Sequence, residues 1–390
     1  MQTDTGEEGE MTSTHNDQED EMANQTLSAV PSTNDASRSV VRSLDTYRLL
    51  GRSGLRVSPM ALGTMTFGTE WGWGADDVEA RKLFDAYVER GGNFIDTANN
   101  YTNGTSERLV GQFAHDRRER LVIATKYSCW RQPGDPNSGG NHRKSMIASV
   151  ESSLRRLGTD YIDLLYLHVW DGTTPVEEIL RGLDDLVRSG KVLYVGISDT
   201  PAWQVSRMQA IAALRGWAPL VALQIEYSLI ERTTERDLIP MAREMGLGVL
   251  PWAALAKGVL TGKYTRADLD NPDSAQTRKN LAVAAGVLSE RGLAIAEAVR
   301  DVATEIGHTP SQVALAWTLL NPATTAPIVG ARTLSQLEDN LGALEVTFTE
   351  SQRATLDRAS AIDLGFPHEL LNRPRTRGHV FDGTRLEHHP

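Results

Sequence analysis

The chain has one cysteine in 390 residues, Cys129, so an intrachain disulfide is excluded. A lone thiol fits a reducing compartment, and a cytoplasmic location is expected. No apolar run approaches the roughly 20 residues that span a bilayer, so no membrane partner is expected. Clustered basic residues are also missing, which argues against nucleic acid as a ligand. No metal site is expected. The glycine-rich nucleotide signatures are absent too. "GTMTFG", after the first apolar strand, does not fit the G-x-G-x-x-G of an open dinucleotide-binding sheet. "GVLTGKY" has three residues between its glycines and no Ser or Thr after Lys263, so it is not a P-loop.

Charge is unevenly spread. Of a formal net charge of -11, residues 1–44 carry -7, from nine acids and two arginines. That segment is rich in Asp, Glu, Ser, Thr and Asn and nearly free of aromatics. It buries too little apolar surface to offset its ordering entropy, and is expected to be a disordered acidic extension. It has neither the cationic start and apolar core of a secretory signal nor the basic character of a mitochondrial transit peptide. The remainder, at 40% hydrophobic and 23% charged residues overall, reads as a soluble globular body.

That body alternates. "YRLLGRSGLRVSP" predicts a small hairpin turning at Gly51–Gly54. Eight strand-like runs follow: "MALGTM", "NFIDTA", "LVIATKY", "IDLLYLH", "VLYVGIS", "LVALQIEY", "LGVLPWA" and "TTAPIVGA". Between them, apolar residues recur near every 3.6 positions, predicting helices such as Asp77 to Glu89, Lys144 to Leu157, Val176 to Arg188 and Arg232 to Met245. Near-continuous apolar strands separated by helices imply a parallel sheet covered outside. Eight such units predict an α/β fold, a closed (β/α)8 TIM barrel, over residues 45–366, with 1–44 as the extension and 367–390 as a C-terminal loop or tail.

Barrels gather functional groups at the C-terminal ends of their strands. Those ends carry Asp96, Lys126 and His168, with Tyr101 in the loop just after Asp96. Each alone has a dull reading as a strand-end or packing residue. Together they make chemical sense. A phenol titrates near pH 10, a neighbouring ammonium favours phenolate, and a carboxylate holds that ammonium. An imidazole N–H orients a carbonyl oxygen. The set suits proton delivery by Tyr101 to an alkoxide formed when a ketone or aldehyde accepts hydride, and the loop "NNYTNGTSE" would carry the acid, with Ser106 capping the next helix.

With "DTANNYTNGTSE", "LVIATKY", "IDLLYLHVWD", "VLYVGISDT", "ALQIEYSLIER", "PWAALAKGVLTGKY" and "PIVGARTLSQLEDNL" in this order, the sequence resembles the aldo-keto reductase superfamily from about Tyr47 to Phe366. The resemblance implies NADP(H) as cofactor and Asp96, Tyr101, Lys126 and His168 as the catalytic set. It implies cofactor contacts from Gly63, Thr64, Met65 and Asp96, and from Ser198, Asp199 and Gln224 to the nicotinamide carboxamide. Trp252 would stack on the ring, and Ala253, Leu255, Lys257 and Gly258 would line the pyrophosphate loop. Gly330, Arg332, Gln336, Asp339 and Asn340 would take the adenosine end, with Arg332 on a 2′-phosphate. The chain departs from the family in Asp199, where Asn is frequent, and in "PWAALA", where "PWSPLA" is common. Trp71, Trp73, Trp130 and Trp170 follow strands and would line an aromatic mouth suited to small-molecule carbonyl substrates, aromatic, terpenoid-like or sugar-derived. Two other readings stand beside carbonyl reduction: a nucleotide-binding regulatory subunit resembling potassium-channel β-subunits, and a sugar-modifying enzyme that retains its NADP.

Overall fold

A computed structural model of the chain describes residues 43–270 and 278–384. The expected acidic extension therefore lies outside the described residues except for its last two. Arg48–Leu49 (β1) and Arg56–Val57 (β2) pair antiparallel, forming the expected hairpin. Eight parallel strands follow: Ala61–Gly63 (β3), Phe94–Asp96 (β4), Val122–Tyr127 (β5), Ile162–Leu167 (β6), Val192–Ser198 (β7), Leu220–Glu226 (β8), Gly248–Trp252 (β9) and Ile328–Gly330 (β10). Their spatial order is β10-β3-β4-β5-β6-β7-β8-β9. At the seam, Val249 N–H donates to Ala323 O (3.0 Å) and Thr325 N–H donates to Val249 O (2.8 Å). These bonds bring the last strand region back to β9 and close the (β/α)8 barrel.

Apolar burial comes in two shells, as a barrel wrapped in helices requires. Inside the barrel sit Ala61, Phe94, Val122, Ala124, Leu164, Tyr166, Ala222 and Leu250, joined by Leu50 and Val57 of the hairpin. The hairpin thus plugs the end of the barrel where strands begin. Its turn passes so close to the strands that a Cβ on Gly51 would lie 2.3 Å from Val221 O. The outer shell packs strand residues such as Ile95, Ile123 and Leu165 against the helices. The helix Asp77–Glu89 shows how: Asp76 caps it, its side chain accepting from Glu79 N–H (2.9 Å). Ala80, Leu83, Phe84 and Tyr87 then form one buried stripe at helical spacing.

Two stretches differ from expectation. The run Arg232 to Met245 is a short 3-10 turn, Thr233–Glu235, followed by the helix Leu238–Met245. Pro240 explains the break: deep inside a longer helix its ring would clash with the carbonyl of residue 236, whereas the first turn tolerates it. The C-terminal segment carries two short helices, His368–Asn372 and Pro374–Phe381, rather than only loop.

Candidate active site

Side chains alternate along a strand, so the positions facing the barrel axis can be followed upward. On β4, Phe94 is succeeded by Asp96; on β5, Val122 and Ala124 by Lys126. On β6, Leu164 and Tyr166 lead to His168 just beyond the strand. Gly196 precedes Ser198 on β7, Ala222 precedes Gln224 on β8, and Leu250 precedes Trp252 on β9. In each case the inward row is small or apolar below and polar or aromatic at the top. All these groups therefore surround one mouth.

Lys126 is fully buried at its centre. Its Nζ donates to Asp96 Oδ1 (2.5 Å), to Thr97 O (2.8 Å) and to Tyr101 OH (3.2 Å), using all three ammonium hydrogens. A charge taken out of water needs such complete pairing to be tolerated. The second oxygen of Asp96 accepts from Gln224 Nε2 (2.9 Å). Burial works against the Lys126 ammonium, but Asp96 and then Tyr101 outweigh it and hold its pKa above the ordinary lysine value. For Tyr101, burial raises the phenol pKa and exceeds the opposing pull of Lys126. The net direction is thus upward, not downward as the sequence suggests, because desolvation outweighs the neighbouring cation.

His168 packs edge-on against Tyr101, with ring centroids 5.9 Å apart. Burial, followed by repulsion from Lys126, drops its pKa to about 3, so it is a neutral imidazole. Its Nδ1 lies 3.4 Å from Cys129 Sγ. Burial pushes that thiol's pKa up, so the sulfur keeps its hydrogen. Donation of the S–H to Nδ1 places the ring proton on Nε2, an assignment made from the hydrogen-bond network.

The residues expected at a nucleotide occupy one continuous arc. Gly63, Thr64 and Met65 end and follow β3, and Ser198 ends β7 with Asp199 just beyond it. The Ser198 hydroxyl is buried with no well-aligned partner. Asp199, at φ +31°, accepts from the Trp252 indole N–H (3.1 Å), so its carboxylate already holds the expected stacking ring. Ala253, Lys257 and Gly258 have positive φ, and Leu255 lies in the same tight loop. Lys257 there pairs with Glu226 (2.9 Å) beside the Trp252 ring. Gly330 ends β10 and Arg332 is exposed beyond it. Gln336 and Asn340 lie one turn apart on the helix Leu334–Leu341. Asp339 turns aside, accepting from Thr309 Oγ1 (2.8 Å) and Gln312 Nε2 (3.1 Å) on a neighbouring helix. Glu79 takes one donor of this helix start, Leu334 N–H (2.8 Å).

The tryptophans divide. Trp71 meets Trp73 (5.7 Å) and stands edge-on to Tyr101 (6.4 Å), at the mouth. Trp170 pairs with Trp203 (5.8 Å), while Trp130 is 61% exposed. Sequence reasoning missed Trp203, which begins a helix rather than ending a strand. It also missed Cys129 as a neighbour of His168. The order "KYSCW", three residues past a strand-end lysine, is the available signal for the latter.

The aldo/keto reductase family pattern matches residues 59–361. A norsolorinic acid reductase of Aspergillus flavus is 37% identical over 344 residues, covering 85% of this chain and 86% of its own. A norsolorinic acid reductase B of Dothistroma septosporum is 37% identical over 353 residues, covering 87% and 86%. An aryl-alcohol dehydrogenase [NADP(+)] of Phanerodontia chrysosporium is 39% identical over 334 residues, covering 82% and 86%. Among the described residues, no helix is long and apolar enough to cross a membrane, and no group of acidic, His and Cys side chains could hold a metal.

Proposed function

The chain belongs to the aldo/keto reductase family, and from that premise we propose that it is an NADPH-dependent reductase of aromatic aldehydes or ketones. The observation that carries the reading is the fully paired Lys126, held between Asp96 and the Tyr101 hydroxyl at the barrel mouth. The names of the relatives support an aryl substrate and NADP, and the Trp71 and Trp73 rings beside Tyr101 offer it apolar faces.

The donor set fits the nicotinamide cofactor. Ser198 offers a buried hydroxyl to a carboxamide, Trp252 presents a ring fixed by Asp199, and the exposed Arg332 would take a 2′-phosphate. Bound NADPH supplies hydride to the carbonyl carbon. The chain's own residues do the rest. Neutral His168, with its proton on Nε2, donates a hydrogen bond to the carbonyl oxygen and orients it. Tyr101, protonated at neutral pH, stands beside it as the acid that delivers a proton to that oxygen as negative charge develops. Lys126 lowers the cost of the phenolate left behind, and Asp96 with Gln224 keeps Lys126 charged and in place.

The test is NADPH consumption with 4-nitrobenzaldehyde or 9,10-phenanthrenequinone. Wild type turns over, and Tyr101→Phe loses about 10²- to 10⁴-fold in kcat while still binding NADPH. Equal rates for the two proteins would remove Tyr101 from the role of acid.

A further inference from the structure

Tyr101 sits in the turn Tyr101–Gly104, and the helix Thr105–Ala114 begins directly after it. Two consecutive residues of that helix, Ser106 and Glu107, are completely buried although both are polar. Fully buried polar side chains need partners, and where these two find theirs is informative.

Ser106 points to the barrel. Its hydroxyl donates to Thr64 O (2.7 Å) and lies 2.8 Å from both Thr97 Oγ1 and Thr64 Oγ1. Thr64 Oγ1 in turn donates to Asp96 O (3.0 Å). Thr97 is the residue after Asp96, and its carbonyl accepts one of the three Lys126 hydrogens. Glu107 points to the outer side of β5, where Oε1 accepts from Thr125 Oγ1 (2.5 Å). Thr125 is the residue before Lys126. The other carboxylate oxygen accepts from Arg156 Nε (2.6 Å). The Arg156 chain also lies across the backbone of Gly104, where a Cβ would come within 2.9 Å of its Cδ.

The helix that leaves the Tyr101 turn therefore grips both strands of the charged pair, one residue from Asp96 on one side and one residue from Lys126 on the other. We infer that Ser106 and Glu107 are positioning residues that fix the distance between Tyr101 and Lys126 through Thr97 and Thr125. The inference rests on the reading of Tyr101 as the acid. Both side chains are fully buried and bonded to the protein itself, not presented at the mouth. They act by holding three elements in one register, and errors of an ångström in such placement are costly to turnover.

Thr125→Val removes the hydroxyl with little change of volume, Thr125→Ser keeps it, and Ser106→Ala cuts the other link. Thr125→Val and Ser106→Ala are expected to lower kcat roughly tenfold, with NADPH affinity within about twofold of wild type. A loosened Lys126 favours phenolate less, so the alkaline limb of the pH–rate profile moves to higher pH in both. Thr125→Ser restores kcat and the limb. A purely structural role would lower the melting temperature and leave the limb in place. Wild-type limbs and kcat in Thr125→Val and Ser106→Ala, with Tyr101→Phe inactive, overturn this inference alone. An active Tyr101→Phe overturns the reading beneath it. Should Thr125→Val not fold, Ser106→Ala against wild type decides by the same limb.

Discussion

At the scale of single residues, position at the C-terminal end of a strand made Asp96, Lys126 and His168 readable, while Gln224 and Trp252 came from the family resemblance. In the folded chain all five fall on the inward row, around one mouth. What position cannot report is partnership. Asp199 reads in sequence as a carboxamide ligand, but folding brings the Trp252 indole to it, a contact between residues 53 positions apart. The balance of forces is equally hidden: whether burial or Lys126 dominates the Tyr101 phenol depends on solvent exclusion that no local pattern states. His168 offers a quantitative test. In the folded chain its pKa falls to about 3, whereas a free imidazole titrates near 6.5. Below pH 6.5 the unfolded chain takes up a proton that the folded chain refuses, so stability falls with pH. The contribution is complete above about pH 6.5 and is lost progressively toward pH 3, at a limiting slope of about 1.4 kcal/mol per pH unit. His168→Gln has no such proton. Its urea-unfolding free energy should fall less steeply from pH 7 to 5 than that of wild type. Parallel slopes would show that the imidazole is not held neutral.

Elements were legible where a periodic apolar stripe and a cap agreed, as in Asp77–Glu89. They were misread where a side chain serves a distant partner. Ser106 looks like a helix cap but is a second-position residue spent on Thr64 and Thr97; the helix follows Gly104, at φ +93°. Thr102 Oγ1 instead accepts the Ser106 N–H (3.1 Å), so the capping group lies one turn earlier than expected. The hairpin makes the clearest case of an element whose residue choice is dictated from outside. Gly51, at φ +54°, faces Val221 O, Gly246 O and Gly248 N within 2.8 Å of a would-be Cβ. Those atoms are backbone and cannot rotate away. Gly51→Ala therefore meets both a left-handed conformation and a steric clash, and should lose at least about 1–3 kcal/mol of stability by chemical denaturation. The site at the opposite end of the barrel should keep its kcat. An unchanged unfolding midpoint would mean that the hairpin does not seat against the barrel floor.

For the molecule as a whole, parallel strands have a consequence that no single element has. Eight C-terminal strand ends open on one face, so the groups read for chemistry and those read for the nucleotide share one rim. That is why the order of motifs in the sequence translates into a circuit of the barrel, from Gly63 on β3 to Gly330 on the neighbouring β10. The circuit ends at Arg332, beside the start of the helix Leu334–Leu341, where Glu79 already holds the Leu334 N–H. With a carboxylate on that donor, the helix terminus is less available to an anion, so the proposed recognition of a 2′-phosphate rests on Arg332. Since Arg332 is exposed, its pairing is discounted from the strength of a buried contact to about 1.4 kcal/mol, or tenfold. Arg332→Ala should weaken NADP+ binding about tenfold by quenching of tryptophan fluorescence. NAD+ has no 2′-phosphate, and its affinity should stay within twofold. A parallel loss for both nucleotides would place Arg332 on the adenosine or pyrophosphate, and equal affinity to wild type would leave the 2′-phosphate to other donors on the rim.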